Sequence, residues 1–188
     1  MSHTSIYLAE ACRIAEAMDA ERVEALAVEL AALRERGGRL FVLGLGGSAA
    51  NASHAVNDLR RLCGIESYAP TDNVAEITAA MNDDGVASVL NIDHMTENDA
   101  LLVLSVGGGT DTVSQAITRA VRECDSYGDL VLGIVGRDGG ETAKHAKVCV
   151  IVPPLYPERV TPHTEAFQSV ILHALVSHPL LQRNRTKW

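Results

Sequence analysis

Four side chains able to do acid–base or metal chemistry fall on two stretches of the sequence. His54 and Asp58 stand four apart in a helical pattern, so they share one helix face. Glu165 and His173 stand eight apart near the C-terminus, in another helical pattern. Two imidazoles and two carboxylates are an ordinary donor set for Zn2+, and the same groups can take up and return protons. Read singly, each is bland. A His–Asp pair on a helix is most often a surface pair, and one histidine among Val170, Ile171, Leu172, Ala174 and Leu175 is most often a satisfied core histidine. Eight helical residues span about 12 Å and turn through roughly 80°, whereas zinc ligands sit only ~2 Å from the metal. One regular helix can hardly present both Glu165 and His173 to one ion. If all four residues act together, either the helix start is distorted or a second subunit contributes, and an active site between subunits is expected.

The elements that must position these groups are punctuated by glycine. Gly44-Leu45-Gly46-Gly47-Ser48 ends a strand-like run at 40–43 and opens a helix at 49–62 that carries Asn51, His54, Asn57 and Asp58. Backbone N–H groups in such a bend, with the helix N-terminus behind them, favour an anion; a tight turn without a ligand accounts for the loop equally well. It lacks the third glycine of the dinucleotide fingerprint and the Lys of a P-loop. Ser105-Val106-Gly107-Gly108-Gly109-Thr110 is a second loop of this kind, at the end of a strand over 100–105 and before a helix over 111–127 that Thr110 or Asp111 caps. Three consecutive glycines can form an anion nest, and a phosphate fits it better than a carboxylate because it has more oxygens to satisfy. Gly136-Arg137-Asp138-Gly139-Gly140 reads as a structural turn, and Asn82-Asp83 as a polar turn that could meet a hydroxyl-rich ligand.

Strand candidates at 40–43, 65–69, 100–105, 130–135 and 148–152 alternate with helical stretches at 49–62, part of 72–81, 111–127 and 140–144. A last helix is predicted at about 162–177, with Thr161 as N-cap, Pro162 at its first position and Pro179 beyond its end. Alternation of this kind predicts an α/β three-layer sandwich, a five-stranded parallel sheet with helices on both faces. Two additional helices, 4–18 and 20–36, precede it, divided near Asp19 and stopped by Gly37-Gly38. The expectation is a single domain over 1–188, with 1–37 as a helical pair and 38–188 as the α/β core.

A formal charge of −8 argues against a nucleic-acid surface, which needs clustered Lys and Arg. The longest apolar runs are far below membrane-spanning length, and the N-terminus enters a polar amphipathic pattern without a signal peptide. Cys12, Cys63, Cys124 and Cys149 are widely spaced with no C-x-x-C pair, as expected of lone thiols in a reducing cytosol. A cytoplasmic, soluble protein is predicted.

Taken together, the two glycine loops, His54 and Asp58 on the first loop's helix, and Thr161-Pro162-His163-Thr164-Glu165 with His173 resemble the sugar isomerase (SIS) domain. Within it the likeness is greatest to bacterial phosphoheptose isomerases, which convert sedoheptulose 7-phosphate to a heptose 7-phosphate. It covers nearly the whole chain. The resemblance implies a flavodoxin-like fold, a phosphosugar substrate, a zinc ion and a homotetramer with active sites between subunits. By position it implies metal ligands at His54, Asp58, Glu165 and His173, with Asp58 or Glu165 as base and His173 as general acid/base. It implies substrate contacts at Leu45, Gly46, Gly47, Ser48, Asn82 and Asp83, and a phosphate loop over Ser105, Val106, Gly107, Gly108, Gly109 and Thr110. The sequence departs from the family pattern at Leu45 (for Asn), Val106 and Gly107 (for hydroxyl residues), Asp58 (for Glu) and Glu165 (for Gln). SIS domains also serve as non-catalytic phosphosugar sensors, and one relative associates with the bacterial replication initiator. The presence of His54, Asp58 and His173 favours the enzyme.

Overall fold

Three apolar runs form the centre of the sheet. β1 (Leu40–Gly44) and β3 (Ala100–Ser105) are buried throughout, and β4 (Leu130–Val135) is buried except at its first residue. Parallel strands covered on both faces require such continuous apolar sequence. With β2 (Ser67–Tyr68) and β5 (Val148–Ile151) they form one all-parallel sheet in the order β2-β1-β3-β4-β5. This is the flavodoxin-like order, and it reverses between β1 and β3, where a crevice opens beyond the carboxyl ends of the strands. The computed structural model describes residues 2–83, 95–127 and 130–185, without the side chains of 79–83, 126 and 127.

The period-2 alternation of each strand divides its side chains between two cores. Leu40, Val42, Leu102, Leu104 and Ile134 face one side with residues of α2 (Ala20–Glu35), α3 (Gly47–Asp58) and α7 (Val160–Val176). Phe41, Leu43, Leu101, Val103 and Val135 face the other, against Ile117, Ala120, Val121 and Cys124 of α5 (Gln115–Tyr127). α4 (Val74–Asp83) and α6 (Gly140–His145) complete the alternation, and α1 (His3–Glu16) precedes α2. The two leading helices appear where predicted, with Asp19 Oδ1 capping Arg22 N–H at 3.1 Å. Among the described residues no helix is long and apolar enough to cross a membrane.

Of the boundaries that differ from the sequence-based expectation, three have an identifiable physical cause. β2 is two residues rather than five. Ile65 N–H bonds back to the Leu59 carbonyl at 3.1 Å across left-handed Gly64, closing the single π-helical turn Leu59–Cys63 that follows α3 instead of joining the sheet. α5 begins at Gln115, so neither Thr110 nor Asp111 caps it. Thr110 Oγ1 accepts the Val113 N–H at 2.9 Å, holding 110–113 in a turn of its own. α7 begins at Val160, which makes Thr161 a helical residue rather than the N-cap and places Pro162 third in the helix, where its missing N–H costs no hydrogen bond.

The early start of α7 has a tertiary cause. Arg159 donates from Nε and Nη2 to the two carboxylate oxygens of Glu10 on α1, at 2.7 and 2.6 Å, and His163 Nε2 lies 3.0 Å from Oε2 of the same carboxylate. Tyr7 stacks on His163 with ring centroids 4.4 Å apart. The Arg159 and His163 contacts hold the Glu10 carboxyl down at about 2. α1 is thereby clamped to the first turn of the helix that carries Glu165 and His173.

Candidate active site

α3 and α7 lie side by side and run in the same sense. Glu165 sits over Gly47, Asn51 bonds the Glu165 carbonyl and Gln168 Oε1 (both 2.9 Å), Ser169 Oγ bonds Asn51 Oδ1 at 3.0 Å, and His54 meets His173. These contacts step along one face of each helix at spacings of three to five residues, so a single register relation places every candidate group. Gln168 is fully buried, and Asn51 is its hydrogen-bond partner.

At the C-terminal end of this pair, three side chains converge. His54 Nε2 and His173 Nε2 are 3.0 Å apart, and Asp58 Oδ2 lies 3.2 Å from the first and 3.9 Å from the second. The other Asp58 oxygen accepts from Asn57 Nδ2 at 3.0 Å, which aims Oδ2 at the two rings. Asp58 is buried, whereas the His54 and His173 side chains are 52% and 58% exposed, so the cluster opens to solvent in the single chain. A tetrahedral ion bound at 2.0–2.1 Å holds its ligand atoms ~3.3 Å apart. The three separations bracket that figure, and the donor set is one that divalent zinc accepts. Among the described residues, these three bring their ligand atoms close enough together to hold a metal ion. They line a cleft of about 410 Å³ with Leu62, Val176, Ser177 and Gln182.

Glu165 is not brought to this cluster. Its carboxylate rests against the backbone at the N-terminus of α3, where a Cβ on Gly47 would meet its oxygens at 2.6–2.7 Å. α7 is one helix from Val160 to Val176, so Glu165 and His173 point to opposite ends of the α3 partner.

The second cleft, about 690 Å³, lies at the switch point between β1 and β3 and is lined by Leu45, Ser48, Ser105, Val106, Gly107, Gly109 and Thr110 among others. Its walls depend on glycine. Gly46 sits at φ +61, ψ −129, which only glycine adopts readily, and a Cβ on Gly44 would meet the Ser48 carbonyl oxygen at 2.2 Å. Gly108 lies beneath the surface, with its N–H and that of Gly107 directed at Ser105 Oγ (3.0 and 3.3 Å). Gly46 and Gly47 form the bend rather than the cleft wall. Asn82 and Asp83 are the last residues of α4, and their side chains lie outside the described portion.

Several positioning residues carry no catalytic signature in the sequence. Glu10 is the most legible of them, a carboxylate four residues before Ile14 on the face of an amphipathic helix that turns inward. Asn57 and Gln168 carry no such signal.

The fold and its two clefts define a parallel α/β protein with ligand sites at the strand ends and along a helix pair. The SIS domain model matches residues 6–134, and the chain belongs to the SIS domain family. It is an isomerase. It is 32% identical over 165 residues to a phosphoheptose isomerase of Rhodospirillum rubrum, covering 84% of this chain and 80% of that one. Among solved structures, it is similar to the phosphoheptose isomerase of Neisseria gonorrhoeae, with a TM-score of 0.79 and 25% identity over 92% of this chain and 94% of the other. The Vibrio vulnificus NanR protein, solved with ManNAc-6P, shares the fold at 12% identity and a TM-score of 0.62, over 87% of this chain and 56% of its own.

Proposed function

We propose that the protein interconverts a ketose and an aldose phosphate through an enediol, with sedoheptulose 7-phosphate and D-glycero-D-manno-heptose 7-phosphate as the pair. The observation that carries this reading is the convergence of His54, Asp58 and His173 at 3.0–3.9 Å beside a glycine-built cleft on the same helix. A pure binding module has no need of a converging acid–base set.

Ser48, Ser105 and the N–H groups and hydroxyl of Gly107 to Thr110 hold the phosphate. Asp58 takes the proton from the carbon beside the carbonyl, and His173 returns one across the enediol, so atoms and electrons balance within the sugar. Asp58 is preferred to Glu165 as base because its Oδ2 faces both imidazoles, whereas Glu165 rests on Gly47. His54, Asp58 and His173 would hold a divalent ion, zinc by donor type. When bound, it polarises the substrate oxygens.

The exposure of both histidines, with Val170 at 56% beside them on α7, supports closure of the site by another copy of the chain in a homotetramer.

Purified protein given sedoheptulose 7-phosphate, with and without a chelator, tests the reading. Turnover that falls on chelation and returns with Zn2+ is expected. Absence of turnover with every seven- and six-carbon phosphosugar would remove the enzymatic proposal and leave phosphosugar sensing. A fully active monomer would remove the interfacial site.

A further inference from the structure

The turn after β4, Gly136-Arg137-Asp138-Gly139-Gly140, does more than reverse the chain. It is the seat of the second glycine loop. Glu141 and Thr142 N–H groups donate to the carbonyls of Gly109 and Gly108, both at 3.0 Å, and Thr142 Oγ1 donates to Gly108 at 2.8 Å. The two backbones touch so closely that a Cβ on Gly108 would meet the Gly139 carbonyl oxygen at 1.8 Å.

Within this turn Arg137 is out of place by the rules of local conformation. It is one of two described non-glycine residues with positive φ, at +51, although glycines stand beside it at 136, 139 and 140. A left-handed arginine costs free energy that a glycine does not, so an outlier here calls for a reason in its side chain. That side chain lines the switch-point cleft with Ser105, Gly107 and Thr110 and is the one basic group among its lining residues. It lies alongside Gly107, its Cδ 3.6 Å and Nε 4.0 Å from where a Cβ would stand, at ordinary contact distance from the loop. The neighbouring Arg122 is already committed to Asp111 and Glu141, each at 2.9 Å.

The loop needs such a group. Ser105 Oγ already accepts the N–H groups of Gly107 and Gly108, and the chain as a whole carries a formal charge of −8. Hydroxyls and partly committed N–H groups supply no net positive charge to a dianion. We propose that Arg137 is the phosphate-recognising cation of this cleft, its guanidinium closing over Gly107 onto the phosphate and discriminating phosphorylated from free sugar. This rests on the isomerase reading only in taking a phosphate as the ligand of the cleft.

Arg137→Gly is the informative variant, because glycine suits φ +51 and the fold is not put at risk. Inorganic phosphate binding by calorimetry, thermal melts, and KM and kcat for sedoheptulose 7-phosphate are compared with the wild type. The expected result is an unchanged or raised melting temperature, phosphate Kd and KM raised ~10- to 100-fold as for loss of a charge-assisted hydrogen bond, and kcat within about twofold. Arg137→Lys, which keeps the charge without the planar fork, falls between the two. Phosphate binding by Arg137→Gly equal to that of the wild type overturns the proposal and leaves the isomerase reading untouched. Weakened binding in a protein that turns over no phosphosugar upholds the proposal and overturns the isomerase reading. A wild type that binds no phosphate overturns the proposal, and the isomerase reading then stands or falls on turnover alone.

Discussion

The two clefts are built on different physical terms. The switch-point cleft is made of backbone. Its shape comes from glycines at β-strand ends, from positive φ at Gly46, Gly108 and Gly109, and from carbonyl–amide contacts between two βα turns. The His54–Asp58–His173 cluster is made of side chains on two helices, and its shape comes from the register between α3 and α7. A backbone site keeps its shape through side-chain change but not through added bulk. A helix-register site tolerates bulk at its open edge but not loss of the polar groups that lock the helices.

Asp58→Asn separates the two regions most sharply. It keeps the shape and removes the proton acceptor, so kcat should fall ~10²- to 10⁴-fold, while phosphate binding by calorimetry stays within about twofold. Equal activity in the variant would dismiss Asp58 as base. Gly108→Ala attacks the backbone site alone. A Cβ would strike the Gly139 carbonyl at a residue with φ +68, so a loss of about 3 kcal/mol or more in urea unfolding is expected, with phosphate binding lost. A melting curve unchanged from the wild type would show that the two turns are not in that contact. Asn51→Ala loosens the helix pair by leaving the buried Gln168 amide without its partner, at about 1–3 kcal/mol. Activity should fall more than phosphate affinity does; the reverse order would show that the register does not set the cluster.

The smallest effect concerns the clamp on α1. Glu10 titrates at about 2 in the folded chain against an ordinary 4.5. Because its folded value is depressed, its contribution is fully present above about pH 4.5 and is lost as the pH falls toward 2. Melting temperature followed from pH 6 to pH 2 should therefore fall less steeply in Glu10→Gln than in the wild type, from a lower starting value. Parallel curves would mean that Arg159 and His163 do not hold the charged carboxylate.

Legibility followed the same division. The glycine loops were readable because steric permission is local. Gly44-Leu45-Gly46-Gly47-Ser48 and the run Gly107-Gly108-Gly109 announce close backbone approach without knowledge of what approaches. The apolar runs of β3, β4 and β5 and the helical spacing of α2 likewise announced a buried parallel sheet, although β5 lies at its edge with Cys149 and Ile151 only half-buried. Helix and strand ends were less readable where distant residues set them. Arg159 begins α7 because Glu10, 149 residues away in sequence, holds its guanidinium. β2 is short because Gly64 returns the Ile65 amide to Leu59. The Gly136–Gly140 turn looked merely structural because its partner, the carbonyls of Gly108 and Gly109, lies in another loop.

The order of residues alone determined the layer architecture, the two strand-end loops and the pairing of His54 with Asp58, since each depends on periodicity or on the conformational range of one residue. It also supplied the bound on Glu165 and His173, since 3.6 residues per turn holds in any regular helix. Tertiary structure decided that His173 meets His54 and Asp58 while Glu165 rests on Gly47, and that Arg137 enters the cleft. Those outcomes depend on how α3, α7 and the βα turns pack against one another across the sheet, and no local spacing encodes the relative placement of two separately folded surfaces.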